Sequence, residues 1–152
     1  MNKWFTRLII ILQIGGGFAG VVSIAPNFVS TDSTPLSFVL NTIFTGLFLF
    51  GIVAGLSLIE KPKLGLLLSQ VYQAVQIPAI ASSVLVYTLS SGLTACLLIQ
   101  QGGDIGCNLN LGVQYRFMLF SGVPWGFGIN IPPLIFFIIL HKAQLQKTQS
   151  QS

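Results

Sequence analysis

Few side chains in this 152-residue chain are equipped for chemistry: one histidine, two cysteines, and the three acids Asp32, Glu60 and Asp104. A catalytic zinc site usually takes three protein ligands, and this set is too sparse and scattered to supply them. A Ser-His-Asp relay would have to use His141, at the end of the last apolar run, while Asp32 and Asp104 lie between runs. In the topology derived below, they fall on the opposite side of a membrane. Gly102-Gly103-Asp104 lacks the Gly-Lys-Ser/Thr of a phosphate loop. Cys96 and Cys107 are spaced unlike a CxxC redox pair. The reading is a non-enzyme without metal or cofactor. The two cysteines are instead candidates for a disulfide, since both fall in a loop placed outside the cytoplasm, where oxidising conditions permit one.

The elements that would carry these residues are set by composition. The chain is 53% hydrophobic and only 7% charged, against roughly 25% charged in soluble domains. Its net charge of +4 sets the three acids against Lys3, Arg7, Lys61, Lys63, Arg116, Lys142 and Lys147, which are scattered along the chain. They form no stripe that could neutralise a run of phosphates, so nucleic acid is not an expected partner. The bilayer is.

Residues 8–31, 33–59, 64–103 and 117–141 contain no Asp, Glu, Lys or Arg. A helix needs about 20 apolar residues to cross a hydrocarbon core roughly 30 Å thick, and every interval exceeds that. The expected fold is all-α and integral to the membrane: a four-helix transmembrane bundle over 1–147, with helices near 4–25, 36–59, 64–88 and 125–145, and a tail at 148–152. Pro78 reads as a bend in the third helix. Gly126, Gly128, Pro132 and Pro133 make the first half of the fourth a poor helix. Lys3 and Arg7 before an apolar run resemble a signal peptide, but the run to Ala25 is long for one. The tempting cut after Ser23-Ile24-Ala25 would precede Pro26, so the first helix reads as retained.

Four spans place Lys3, Arg7, Lys61, Lys63, Lys142 and Lys147 on one side, with only Arg116 opposite. By the positive-inside rule, both termini are cytoplasmic. Compact loops and short tails suggest a bacterial cytoplasmic (inner) membrane.

Inside a bilayer, helices associate through close packing and polar contacts. Gly16 and Gly20 in the first span, and Gly51 and Gly55 in the second, are four apart and mark a packed pair of helices. Ser69, Gln73, Gln76, Ser83 and Tyr87 form a polar stripe on the third helix, interrupted at Ile80; Asn41 and Thr45 form a smaller one on the second. These stripes should face the bundle interior, as glue or as the wall of a pathway. The loop at 89–124 alternates polar and apolar residues from Asn108 to Phe117, the period of a strand with one covered face. With the turn at Gly102-Gly103-Asp104, it predicts a small extracytoplasmic β-hairpin or three-stranded cap between helices 3 and 4.

The functional expectation is a non-enzymatic subunit, anchor or immunity-type protein acting through another membrane protein or through itself. A small channel or transporter using the polar stripe on helix 3 is the alternative.

Overall fold

The computed structural model describes residues 3–29 and 34–149, with side chains as far as Gln146. Asp32, assigned above to the outer side, and the last three residues of the tail lie outside the described residues. Helix α1 (Lys3–Ile24) ends in a 3-10 turn, Ala25–Phe28, and α2 spans Pro35–Glu60. Thr34 caps α2 by accepting a hydrogen bond from the Ser37 amide at 3.2 Å, and Pro35 occupies a first-turn position where its missing N–H costs nothing. Helix α3 (Pro62–Gln76) follows, then strands β1 (Pro78–Ala81), β2 (Leu85–Gln100), β3 (Ile105–Leu119) and β4 (Gly126–Asn130), and finally helix α4 (Ile131–Gln149).

The expected all-α four-helix bundle is therefore corrected: the fold is mixed α/β, with a four-stranded antiparallel half-barrel packed on the helices. Among the described residues, two helices rather than four are long and apolar enough to cross a membrane, Lys3–Phe28 and Pro35–Glu60. Helix α3 has 15 residues, a rise of about 22 Å at 1.5 Å per residue, and falls short of a bilayer core.

Both errors have local causes. The third helix stops before Pro78, whose ring clashes with the carbonyl four residues back and which has no N–H to give. The Ile77 amide bonds to the Ala74 carbonyl at 3.3 Å, tightening the last turn. Beyond it, Val84, Val86, Tyr87 and Thr88 bring β-branched and aromatic side chains that suit a pleated strand. At the other boundary, Gly126–Asn130 alternates buried and exposed positions as β4. Pro132 and Pro133 stand in the first turn of α4, where proline is tolerated.

The sheet is organised around β2, which is long enough to serve three partners. Strand β3 runs antiparallel along its whole length, from Leu85↔Leu119 to Ile99↔Ile105, across the turn at residues 101–104. Strand β1 pairs with the first part of β2, Val86–Thr88, and β4 with the last, Cys96–Gln100. Strands β1 and β4 also pair with each other. One strand can meet two mutually paired neighbours only if it bends, and the bend lies at Gly92, opposite Gly112. Both have positive φ, +92° and +142°, a region that side chains with a Cβ rarely adopt.

The bend is seated on α1. A Cβ added at Gly16 would lie 2.8 Å from the Gly92 amide nitrogen and 2.9 Å from the Ser91 carbonyl carbon. Below this seat, Ile9, Leu58, Leu66, Phe136, Leu140 and Ala143 form one apolar core that draws all four helices together. Above it, Ile24, Phe44, Phe48 and Leu89 form a second core, against which Tyr115 and Phe117 of β3 pack.

Gly16→Ala should lower stability by about 1–3 kcal/mol, because the sheet backbone it would strike has little room to retreat. Gly15→Ala, next along the helix with nothing within 4 Å of its added Cβ, should be neutral or stabilising by up to about 1 kcal/mol. Unfolding of the two variants in a mild detergent checks the pair. Equal losses would remove the helix–sheet seat.

Candidate functional site

A polar column runs through the middle of the molecule, surrounded by apolar side chains. Gln13 of α1 is 1% exposed, and its Oε1 accepts a hydrogen bond from the fully buried Ser69 hydroxyl of α3 at 3.0 Å. From the next residue of α3, Gln70 donates from Nε2 to Gln144 Oε1 of α4 at 2.6 Å. At the top of α3, Gln76 accepts from the Ser91 amide at 2.9 Å, and the Tyr72 and Ser91 hydroxyls are paired at 2.7 Å. Ser90 and Thr94 are hydrogen-bonded to each other. Asn130, at the β4–α4 junction, donates to Ser90 Oγ at 3.3 Å and accepts from the Ala95 amide at 3.1 Å. These bonds tie α3 and the β4–α4 junction to β2 around its bend.

The residues proposed as a polar stripe separate accordingly. Ser69, Gln73 and Gln76 are buried on α3, but Ser83 sits in the β1–β2 turn and Tyr87 on β2, where its hydroxyl donates to the Val75 carbonyl at 2.8 Å. The step of seven residues between Gln76 and Ser83 is not two helical turns; it crosses a strand. On α2, Thr45 donates to the Asn41 carbonyl at 2.8 Å within its own helix. Asn41 lines a shallow groove with Tyr115, Arg116 and Phe117. Hydropathy and helical spacing did not reveal Gln13, Ser90, Ser91, Thr94 or Asn130. The one signal for them was their polarity within otherwise apolar stretches.

The glycines occupy different seams. Gly20 lies under the Phe48 ring of α2, and Gly51 under the Tyr72 ring of α3. Gly55 faces Ile14 and Gln13 of α1, while Gly16 faces the sheet. Gly17, against the Phe48 carbonyl, and Gly65, against the α2 backbone at Ser57–Leu58, are close-approach positions that the four-residue spacing did not select.

The two arms of the bent sheet enclose a cavity of about 650 Å³. Facing pairs in the ladder place Thr88 with Arg116 on one arm and Cys96 with Asn108 on the other, and all four line the cavity. Ile80, Val86, Leu98, Val123 and Pro124 make its walls largely apolar. The segment from Phe120 to Trp125 straps the two rims together. Phe120 and Gly122 bond through their amides to the Val84 and Ser83 carbonyls on one rim, and the Trp125 carbonyl accepts from the Gln101 amide on the other. The Tyr115 hydroxyl accepts from Asn27 at 2.9 Å, so this arm stands level with the end of α1.

Both cysteines are free thiols at this cavity, Cys96 buried and Cys107 exposed. The register sets Cys96 opposite Asn108 and Cys107 opposite Leu97, one residue out of step. Cys96 is buried, as is usual for an unreactive structural cysteine. Among the described residues, no cluster of three or more His, Cys, Asp or Glu could hold a metal ion. No family model, curated protein or solved structure matches the chain.

Gln76→Leu should cost about 1–3 kcal/mol, since it leaves the buried Ser91 amide without its acceptor. Tyr72→Phe should cost only about 1 kcal/mol, because Ser91 keeps Gln76 as a partner. Unfolding midpoints rank the two, and a reversed order would mean that the column does not anchor the sheet.

Proposed function

We propose that the chain is an integral membrane protein without catalytic activity, which holds a half-barrel cup at the extracytoplasmic surface and acts through what binds there. The observation that carries this reading is the inverted distribution of polarity. Gln13, Ser69, Gln73, Gln76, Ser90 and Thr94 are buried, whereas Ile11, Phe18, Val22, Ile43, Val53 and Ile59 on the two long helices are exposed. Water would favour the opposite arrangement, since exposed apolar patches of this extent are rare on soluble monomers. Hydrocarbon requires this one, because every polar group inside it must find an internal partner.

The sheet follows the same rule. Leu93 faces Leu111, Leu97 faces Ile129, and Ile99 faces both Ile105 and Phe127 across the ladders. All of them are exposed on the outer face, while Thr88, Cys96, Asn108 and Arg116 point into the cup. Apolar outside and polar inside is the alternation of β-structure embedded in lipid.

Charge supports the orientation. The apolar core that joins Ile9, Leu58, Leu66 and Leu140 brings Lys3, Arg7, Lys61, Lys63 and Lys142 to one end of the molecule. Arg116 stands at the other, beside Asn27 at the end of α1 through Tyr115. By the positive-inside rule, the basic end is cytoplasmic and the cup faces out. The half-barrel's free edge, β3, and the strap residues Phe120 and Trp125 are then available to a membrane partner or to another copy of the chain. A bacterial inner membrane is the location proposed.

A second reading, passage of a small solute along the polar column, is favoured by the Gln13 Nε2, which is buried without a partner. Most of the column's other groups bind one another across helix–helix and helix–sheet junctions, which suits adhesion better than permeation. Gln73→Leu separates the readings: it should leave partner recovery in mild-detergent pull-downs unchanged, and should abolish solute flux in loaded vesicles only if the column conducts.

The protein should resist extraction by alkaline carbonate. In intact cells, Cys107 should react with a membrane-impermeant maleimide, while Cys96 reacts only after denaturation. Release by carbonate, or labelling of Cys107 only after lysis, would overturn the membrane placement or its orientation respectively.

A further inference from the structure

The cup contains a single full charge. Arg116 lines the cavity, and among the described residues no Asp or Glu does so. Glu60 lies at the far end of α2, and Asp104 belongs to the β2–β3 turn beyond the lining. A guanidinium stays protonated at any physiological pH, so this exposed cation borders the cavity, and the groove beside Asn41, without an acid among the described lining residues to balance it. Its neighbours are hydrogen-bonding groups without charge. Thr88 stands directly across the ladder, and Gln114 is two residues along the same strand, hence on the same face. The rest of the cavity is lined mainly by aliphatic side chains. Its volume of about 650 Å³ falls within the roughly 300–1,000 Å³ of small-molecule sites, which are mostly apolar with a few placed polar groups.

We infer that the cup binds an anionic amphiphile, with its phosphate or carboxylate on Arg116 and its apolar part against Ile80, Val86, Leu98 and Val123. A planar guanidinium can give two parallel N–H donors to two oxygens of such a head group. Gln114 and Thr88 supply further donors on the same face. An all-apolar ligand would leave the arginine unpaired, and a fully polar one would waste the aliphatic walls. The ligand chemistry has two sources. If α1 spans the bilayer as proposed above, Arg116 lies near head-group depth, and an anionic phospholipid can reach it. A free amphiphile from the outer aqueous side can enter the same cavity. The inference rests on the proposed membrane reading only for the first source.

Trp125, next to the cavity-lining Pro124 and Gly126, provides the readout once Trp4, the other tryptophan, is replaced by Phe. In neutral maltoside micelles, octyl phosphate should shift the Trp125 emission saturably, and octyl glucoside should not. Arg116→Gln should weaken the response roughly tenfold or more, and Arg116→Lys, which keeps the charge but loses the fork, should weaken it less. Val123→Trp, with tyrosine fluorescence and competition by a labelled probe as readout, should block the apolar part while leaving Arg116 in place. In vesicles, 20-fold dilution of phosphatidylglycerol by phosphatidylcholine should reverse the shift if lipid is the occupant. Response to octyl phosphate in micelles but not to phosphatidylglycerol in vesicles would assign the free amphiphile. No shift in micelles, or equal responses from wild type and a folded Arg116→Gln, would overturn the site. The micelle arm needs no bilayer, so its failure is distinct from extraction of the protein by carbonate, which tests the membrane reading alone.

Discussion

The structure depends on how polar groups are satisfied where a bent strand meets a helix. Ser91 and Gly92 sit at the bend of β2, pressed on Gly16 of α1. The Ser91 amide bonds instead to Gln76 Oε1, at the last residue of α3. A buried amide left open costs about 1–3 kcal/mol, so the glutamine, the tyrosine beside it and the glycine beneath form one unit.

From that unit, the rest of the architecture follows. A strand held at its middle has two arms free to rise, and β1 and β4 bridge them by pairing with one arm each and with one another. The arms then enclose a cavity rather than a flat sheet. The strap from Phe120 to Trp125 ties their tips together at Ser83–Val84 and Gln101. Among the described strands, β3 alone has a single partner, so one of its edges is open along its whole length. An open edge is a site where further strands can add, and it is the part of the sheet that the chain itself leaves unpaired.

The same distribution of polarity gives both the packing and the surface. Side chains able to hydrogen-bond converge on the axis, from Gln70–Gln144 at one end to Asn130–Ser90 at the other. Aliphatic and aromatic side chains cover the outside. Because the column's members are largely engaged with each other, the group free to meet a ligand is the one that stands outside it, Arg116 in the cup.

Much of this was legible in the residues, and the division has a physical basis. The ends of α1 and α2 follow from Lys3, Pro35 and Glu60-Lys61-Pro62, because charges and prolines mark helix boundaries regardless of what packs nearby. The period of two from Asn108 to Phe117 and the glycines at 102 and 103 belong to local strand and turn geometry, and they lie in β3 and in the turn before it. The identity of residues 77–100 was not legible, since an apolar, charge-free stretch has the same composition whether it becomes a buried helix or a strand covered on both faces. What decided it was pairing between residues distant in sequence, Ala79 with Gly128 and Leu97 with Ile129. Tertiary structure likewise turned Ser83 and Tyr87 from members of a helical stripe into a turn and a strand residue, and placed Gly16 against the sheet rather than at the α1–α2 seam. Hydropathy records how much each residue prefers to leave water; it carries no information about which backbone will complete its hydrogen bonds.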